Sequence, residues 1–215
     1  MEWIKNQKQK ELETFILKYL PFIKEDSALD SVPDAVIIET LMSSTVRIFK
    51  SGSTIVGPGN TDKTTHFLVY GLVKSYYMKR GSQAIMSFFK PGEYFSPVET
   101  LFLDQPNDLY YETTTPTMIL SLRKDDIERL VRKYAEHHWY VNQMLARFIV
   151  KQNNRLRILQ CRDAKERYME FLKYSDFDLD NITQKDIASY LDITPETLSR
   201  IRKELKEANR LPRRL

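Results

Sequence analysis

The sequence predicts an α+β fold in three parts: an N-terminal antiparallel β-roll preceded by helices, one long helix, and an all-α C-terminal helix-turn-helix unit. Three observations predict it. Between Thr45 and Leu122, short β-branched and aromatic runs alternate with glycine turns. From Lys124 to Leu159, apolar residues recur at three-to-four spacing. From Asn181 to Leu205, the chain fits a two-helix template at nearly every position. The expected boundaries are 1–125 for the roll with its leading helices, 126–160 for the long helix and 161–215 for the helix-turn-helix unit.

Residues 1 to about 30 read as helical, because Trp3, Phe15, Ile16, Tyr19 and Leu20 stand among lysines and glutamates until Pro21 breaks the pattern. A second short helix is expected over residues 36–43. The strand texture then begins, as TVRIFK, STIVG, HFLVYGLVKSYYM, QAIMSFF, EYF, LYYETTT and TMILSL. Turn signals stand between these runs at Ser51-Gly52, Gly57-Pro58-Gly59, Arg80-Gly81-Ser82 and Pro91-Gly92. Such spacing suits a compact antiparallel barrel or sandwich. Its aromatics, among them Phe67, Tyr76, Tyr77, Phe88 and Phe89, read as core and cross-strand packing rather than a cofactor site.

Ile127, Leu130, Val131, Tyr134, Val141, Met144, Leu145, Phe148 and Leu159 mark the apolar stripe of the long helix. Its second half, Glu136 to Leu159, would span roughly 35 Å at about 1.5 Å per residue. A stripe that long and one-sided predicts pairing with a second copy as a coiled coil, the alternative being a helix laid along its own β-domain. Next, Ala164, Tyr168, Met169, Phe171 and Leu172 form a shorter stripe suited to packing beneath the following motif, and residues 175–180 read as a polar acidic loop.

In the helix-turn-helix stretch, Ile187, Leu191, Ile193, Leu198 and Ile201 supply the core, and Ala188 lies where two helices approach closely. Thr183 with Asp186 opens the first helix, and Thr194 with Pro195 opens the second. Asp192 stands where the turn favours glycine; among non-glycine residues it tolerates a left-handed backbone well. The outer face of the second helix carries Glu196, Thr197, Ser199, Arg200 and Lys203. Arg pairs with guanine and Glu accepts from cytosine in the major groove, which makes Glu196, Ser199 and Arg200 the expected base readers. Thr183, Lys185, Thr197, Arg202 and Lys203 are the expected phosphate contacts. The plainer alternative is that Glu196 and Arg200, four apart, form a solvated surface pair.

Composition narrows the function classes. The chain carries 33 basic and 29 acidic residues, a net charge of +4. The two signs balance at 18 each in residues 1–150, whereas residues 151–215 hold 15 basic against 11 acidic. The surplus trails the second helix as Arg200, Arg202, Lys203, Lys206, Arg210, Arg213 and Arg214, which points to a polyanionic partner. A single cysteine, Cys161, excludes an internal disulfide and any multi-cysteine metal site. His66, His137 and His138 do not make a metal centre, so no metal and no cofactor is expected. Neither a membrane-spanning run nor a signal peptide is legible, and a cytoplasmic location is expected.

The order of parts resembles the Crp/Fnr family, that of the cyclic-AMP receptor protein and the fumarate–nitrate reduction regulator. The resemblance rests on AKERYMEFL at Ala164 to Leu172, on TQKDIASYLDITPETLSRIRKEL, and in the roll on Phe49-Lys50-Ser51-Gly52, Phe67-Leu68-Val69-Tyr70-Gly71 and Pro91-Gly92-Glu93-Tyr94-Phe95. It implies a cyclic nucleotide-binding-like effector roll, a dimerisation helix and a DNA-reading unit in which Glu196, Ser199 and Arg200 match the Glu-x-x-Ser-Arg readout. The implied partners are double-stranded DNA, a second copy of the chain, RNA polymerase and a small-molecule effector of unknown identity. The chain departs from the family where cyclic nucleotide binds: Ser96-Pro97 replaces the ribose-binding Gly-Glu, and Asn107-Asp108 replaces the phosphate-binding Arg-Ser. Cyclic AMP is therefore not expected to bind in the usual way, and Tyr94, Ser96, Glu99, Asn107 and Asp108 are the expected lining of whatever pocket remains. Only eight residues, Ala208 to Leu215, follow the second helix, too few for a wing hairpin; Arg210, Arg213 and Arg214 are expected to supply its phosphate contacts. The competing reading is a small-molecule-binding β-barrel with a structural helical tail. An enzyme is not expected, since only His66 lies in the β region and no nucleophile–base motif is present.

Overall fold

A computed structural model describes residues 33–175 and 179–208. The expected helices before Pro33 and the basic residues Arg210, Arg213 and Arg214 lie outside the described residues. Helix α1 (Asp34–Ser43) leads into eight strands: β1 (Thr45–Phe49), β2 (Thr54–Val56), β3 (Thr64–Tyr70), β4 (Val73–Lys79), β5 (Ser82–Phe89), β6 (Tyr94–Phe95), β7 (Tyr110–Thr113) and β8 (Thr117–Arg123). A short helix, α2 (Val98–Leu103), interrupts them after β6. Then follow α3 (Lys124–Lys133), α4 (Ala135–Gln160), α5 (Ala164–Tyr174), a 3-10 turn at Leu179–Asn181, α6 (Gln184–Tyr190) and α7 (Pro195–Glu207).

The strands form two four-stranded antiparallel sheets, ordered β1-β8-β3-β6 and β2-β7-β4-β5. Period-2 alternation sends Leu68, Val73, Phe89, Phe95, Tyr111 and Ile119 into the space between them, where they form the roll's own core. Two turns set the register. Arg80 and Gly81 both have positive φ, 51° and 79°, the backbone of a tight hairpin whose twist matches the strands it joins. Between β3 and β4, Gly71 is required by space: a Cβ there would lie 2.5 Å from the Pro116 carbonyl oxygen.

The outer face of the β1-β8-β3-β6 sheet is covered by α1 and α4. Val36, Ile37 and Leu41 meet Phe67, Val69, Leu120 and Tyr140. At its rim, Glu39 takes Lys133 at 2.7 Å, Arg129 at 3.0 Å and the Tyr134 hydroxyl. The bond from Lys133, then that from Tyr134, pulls the Glu39 carboxyl down to about 2.

The helical pattern read from Lys124 to Leu159 is broken in two. Tyr134 adopts an extended backbone, φ −128° and ψ 120°, so α3 and α4 meet at a corner where Tyr134 reaches Glu39. A side-chain stripe does not reveal one non-helical residue inside it. Helix α4 runs 26 residues and leans on its own roll through Tyr140, while Trp139, Leu145, Phe148, Ile149, Val150 and Leu156 remain exposed on its other sides.

A third apolar cluster joins the two halves of the molecule. Leu72, Tyr76, Ile85 and Phe88, on the outer face of the β2-β7-β4-β5 sheet, share one core with Ile158 of α4, Tyr168 and Phe171 of α5, and Ile187, Leu191, Leu198, Ile201 and Leu205 of the helix-turn-helix. Sequence patterning distinguishes the two units, but their packing is continuous.

Candidate nucleic-acid interface and effector region

The helix-turn-helix is built by local chemistry. The Thr183 side chain accepts from the Asp186 N–H at 3.1 Å and opens α6; Thr194 accepts from the Thr197 N–H at 3.2 Å and opens α7, with Pro195 at its first turn. Between them the backbone N–H of Ile193 donates to the Ala188 carbonyl at 3.0 Å, and Asp192 takes the left-handed conformation, φ 53°. Asp192 thus does what a glycine would do, at a modest cost in strain. Arg167 of α5 donates to the carbonyls of Leu191 and Asp192, 3.4 Å from each, and so ties the turn to the helix beneath it.

Leu198, Ile201 and Leu205 are buried, which leaves the other face of α7 turned outward. Glu196, Ser199, Arg200 and Lys203 are exposed there, and Thr197 is half-buried with its hydroxyl 3.1 Å from that of Thr194. Among the described residues no ion pair joins Glu196 to Arg200, so the surface-pair alternative is not realised. Glu196's own backbone N–H, then Thr194, holds its carboxyl below the usual range, leaving it ionised and accepting. Thr183 and Lys185 are exposed at the start of α6. Arg202 is placed differently: its Nε donates to the Tyr168 hydroxyl at 3.0 Å, which ties α7 to α5.

The expected effector lining does not converge on one pocket. Tyr94 points to the outer face of its sheet, its ring 4.8 Å from that of Phe67 and its hydroxyl 2.9 Å from that of Tyr140. Ser96 offers its carbonyl to the Tyr111 hydroxyl at 2.9 Å. Glu99 and Asp108 are exposed. Asn107 is buried and spent on the backbone: its Nδ2 donates to the Gly57 carbonyl at 3.0 Å and to that of Leu109, and its Oδ1 accepts from the Leu109 N–H at 3.1 Å. The space among these segments is filled by rings, with Phe95 5.4 Å from Phe89 and 5.7 Å from Tyr111 between centroids. Strand alternation turns Tyr94 away from the side to which Phe95 points, whereas Ser96, Glu99 and Asp108 lie around Tyr111: its hydroxyl donates to Ser96, and burial, then the Glu99 and Asp108 charges, push its pKa upward. A groove of about 1170 Å³ lies elsewhere, between the roll and α4; it touches Tyr94 and Ser96 and is walled by Phe67, Val69, Val141 and Met144.

Residues that carry no sequence motif, Lys74, Ser189 and Arg155 among them, build the contact between the halves. Lys74 of β4 is buried, with Nζ 3.2 and 3.3 Å from the two Asp186 oxygens, 2.9 Å from Gln83 Oε1 and 3.4 Å from Glu112 Oε1. Burial, then the bond to Glu112, pushes the Tyr76 hydroxyl's pKa upward, and that hydroxyl donates to Glu112 at 2.8 Å. Ser189 of α6 donates to the Gln83 carbonyl at 2.7 Å and accepts from the Ile85 N–H at 3.0 Å. The Arg155 guanidinium lies 4.4 Å over the Tyr190 ring. The only hint in the sequence was a lysine inside the apolar run HFLVYGLVKSYYM.

Among the described residues no helix is long and apolar enough to cross a membrane, and no cluster of His, Cys, Asp or Glu is arranged to hold a metal ion.

Two family models match the chain in order. Residues 46–134 match the cyclic nucleotide-binding domain, and residues 143–214 match the Crp-like helix-turn-helix domain. Comparison with curated protein sequences gives no match. Among solved structures, FixK2 from Bradyrhizobium japonicum is similar with a TM-score of 0.65 at 20% identity, covering 77% of this chain and 86% of that one. A CooA mutant from Carboxydothermus hydrogenoformans gives 0.67 at 16% identity, covering 85% of this chain and 84% of that one. The c-di-GMP responsive global regulator CLP from Xanthomonas campestris gives 0.66 at 13% identity, covering 82% and 93%. At these identities the likeness shows the shared fold.

Proposed function

Because the chain belongs to the Crp/Fnr family of DNA-binding transcription regulators, we propose that it works as a homodimer on a palindromic DNA site and that cyclic AMP does not control it. The matched families are those of regulators rather than enzymes. The observation that carries the reading is the outward face of α7, where Glu196, Ser199 and Arg200 stand exposed on a helix capped at its DNA-facing end. That is how this motif presents side chains to base edges in the major groove. Thr183, Lys185, Thr197 and Lys203 surround the readers as phosphate contacts. Arg202 instead holds α7 on Tyr168.

Dimerisation is supported by the outer side of α4. Ile149 and Leu156 remain exposed there, with Leu145 beside them at helical spacing, a seam suited to the same helix of a second copy. Two recognition helices carried by such a dimer reach half-sites about one DNA turn apart. Independence from cyclic AMP is supported by the rings of Phe89, Phe95 and Tyr111, which occupy the roll's interior, and by Asn107, whose amide is fully used. An anionic phosphate would find no arginine there and an exposed Asp108 nearby. The groove between roll and α4 is the better place for a small effector. A regulator of this kind acts in the cytoplasm and contacts RNA polymerase once on its site.

Selection of duplexes from a random pool tests the reading. A palindromic consensus is expected, and Arg200→Ala should lose about 1–3 kcal/mol on that duplex alone. Equal loss on random DNA would reduce Arg200 to a phosphate contact. The same binding repeated with cyclic AMP should not change; a tenfold gain in affinity would overturn the proposed independence.

A further inference from the structure

Strand β5 is the edge of its sheet, and an edge strand presents backbone groups that must find partners. Here they come from helices instead of a fifth strand. One hydroxyl, that of Ser189, accepts from the Ile85 N–H at 3.0 Å and donates to the Gln83 carbonyl at 2.7 Å, filling two adjacent positions of the edge as a strand would. Past these residues the β4–β5 register slips by one, leaving Met86 without a cross-strand partner; its carbonyl accepts from Arg155 of α4. Farther on, Lys151 of α4 donates to the Phe88 carbonyl at 2.6 Å. The edge is thus read residue by residue by the two elements that carry the DNA-binding unit.

Beside this seam Lys74 bonds Asp186 of α6 in a buried pair. Removing two opposite charges from water is repaid only in a fixed geometry, so such a pair specifies alignment more than it adds adhesion. We propose that the β5 edge and Lys74 set the orientation of the recognition helix relative to α4, which makes Lys74 and Ser189 positioning residues for DNA reading although neither touches DNA. The face of α6 used for docking holds Asp186, Ser189 and Tyr190, whereas Thr183 and Lys185 remain exposed, as do Glu196, Ser199 and Arg200 on α7. Seam and duplex are therefore occupied together. Because α4 is also the proposed dimer axis, an orientation fixed against it fixes the distance between two recognition helices. The assignment rests on the DNA reading proposed above.

The test uses the full chain and a duplex selected from a random pool. Lys74→Gln removes the charge and leaves every residue of the helix-turn-helix in place; Ser189→Ala removes both edge bonds. Each is expected to weaken binding by about tenfold, the reduction that follows when roughly a tenth of the molecules hold the competent orientation. Each should also broaden the tolerated spacing between half-sites and speed hydrogen exchange at the Ile85 amide, whereas Lys74→Arg keeps the parental spacing preference. Lys74→Gln with parental affinity and spacing would overturn the proposal, as would faster Ile85 exchange with DNA binding unchanged. Uniform weakening at every spacing, with Lys74→Arg no better than Lys74→Gln, would also overturn it by leaving Lys74 a merely structural role. If the unaltered protein selected no duplex, the DNA reading itself would fall, and this assignment with it.

Discussion

The two sides of the β2-β7-β4-β5 sheet are buried in different ways. Its inner side meets the other sheet through Val73, Phe89 and Tyr111, which face Ile119 there beside a polar pair of that sheet, His66 and Ser121, 2.9 Å between ring nitrogen and hydroxyl. Its outer side meets the helix-turn-helix through Ile85 and Phe88, but around a charged cluster of Lys74, Asp186 and Glu112. Were the outer contact to open, Lys74 would keep Glu112 and Gln83, and Asp186 would return to water at a helix N-terminus, where a negative charge is favoured. The inner contact has no such fallback. One face is therefore built for permanence and the other for alignment, and substitutions should separate them.

The largest effect is expected inside the roll. Ile119 is fully buried between the sheets, and Ile119→Ala should cost about 2–5 kcal/mol in urea unfolding; a cost below about 1 kcal/mol would mean the two faces are equally loosely packed. Next comes pH. Burial, then the nearby Arg47 charge, lowers His66 from 6.5 to about 4, so the folded state favours neutral imidazole. Stability from this group is complete above pH 6.5 and is lost as pH falls toward 4, on the order of 3 kcal/mol. His66→Gln should flatten that slope in unfolding curves taken across the range, while Lys74→Gln should leave it in place. The smallest effect belongs to the recognition helix: Thr194→Ala removes the cap of α7 and should cost about 1 kcal/mol, read by thermal unfolding, with the roll untouched.

Those predictions differ in how far the sequence foretold the residues behind them. Thr194 was legible because a cap depends on residues two or three places away, and Pro195 beside it left little alternative. The same holds for Thr183, for the hairpin at Arg80-Gly81 and for Asp192 in its left-handed turn. The exposure of Glu196, Ser199 and Arg200 follows from periodicity alone, once Leu198 and Ile201 are placed inward. The effector lining is legible only in part for a related reason. Tyr94, Ser96, Glu99, Asn107 and Asp108 share a correspondence with a cassette, yet a pleated strand sends Tyr94 and Phe95 to opposite faces, and Asn107 is consumed by its own loop. Tyr134 breaks a helix whose stripe runs through it unaltered, because its partner Glu39 lies on a distant element.

By itself the sequence determined the elements of this protein: which stretches become strands, where α6 and α7 begin, and which side of α7 faces outward. These follow from turn chemistry, capping and side-chain period, all of which act between neighbours along the chain. Only the tertiary structure decided that the DNA-binding unit covers the open edge of β5, with Ser189 taking the place of a strand and Lys74 bonding Asp186. Those partners lie 104 and 112 residues apart, and no local preference distinguishes a lysine that will be buried from one that will meet water. Their pairing depends on which edge the roll leaves open and which helix face arrives to close it.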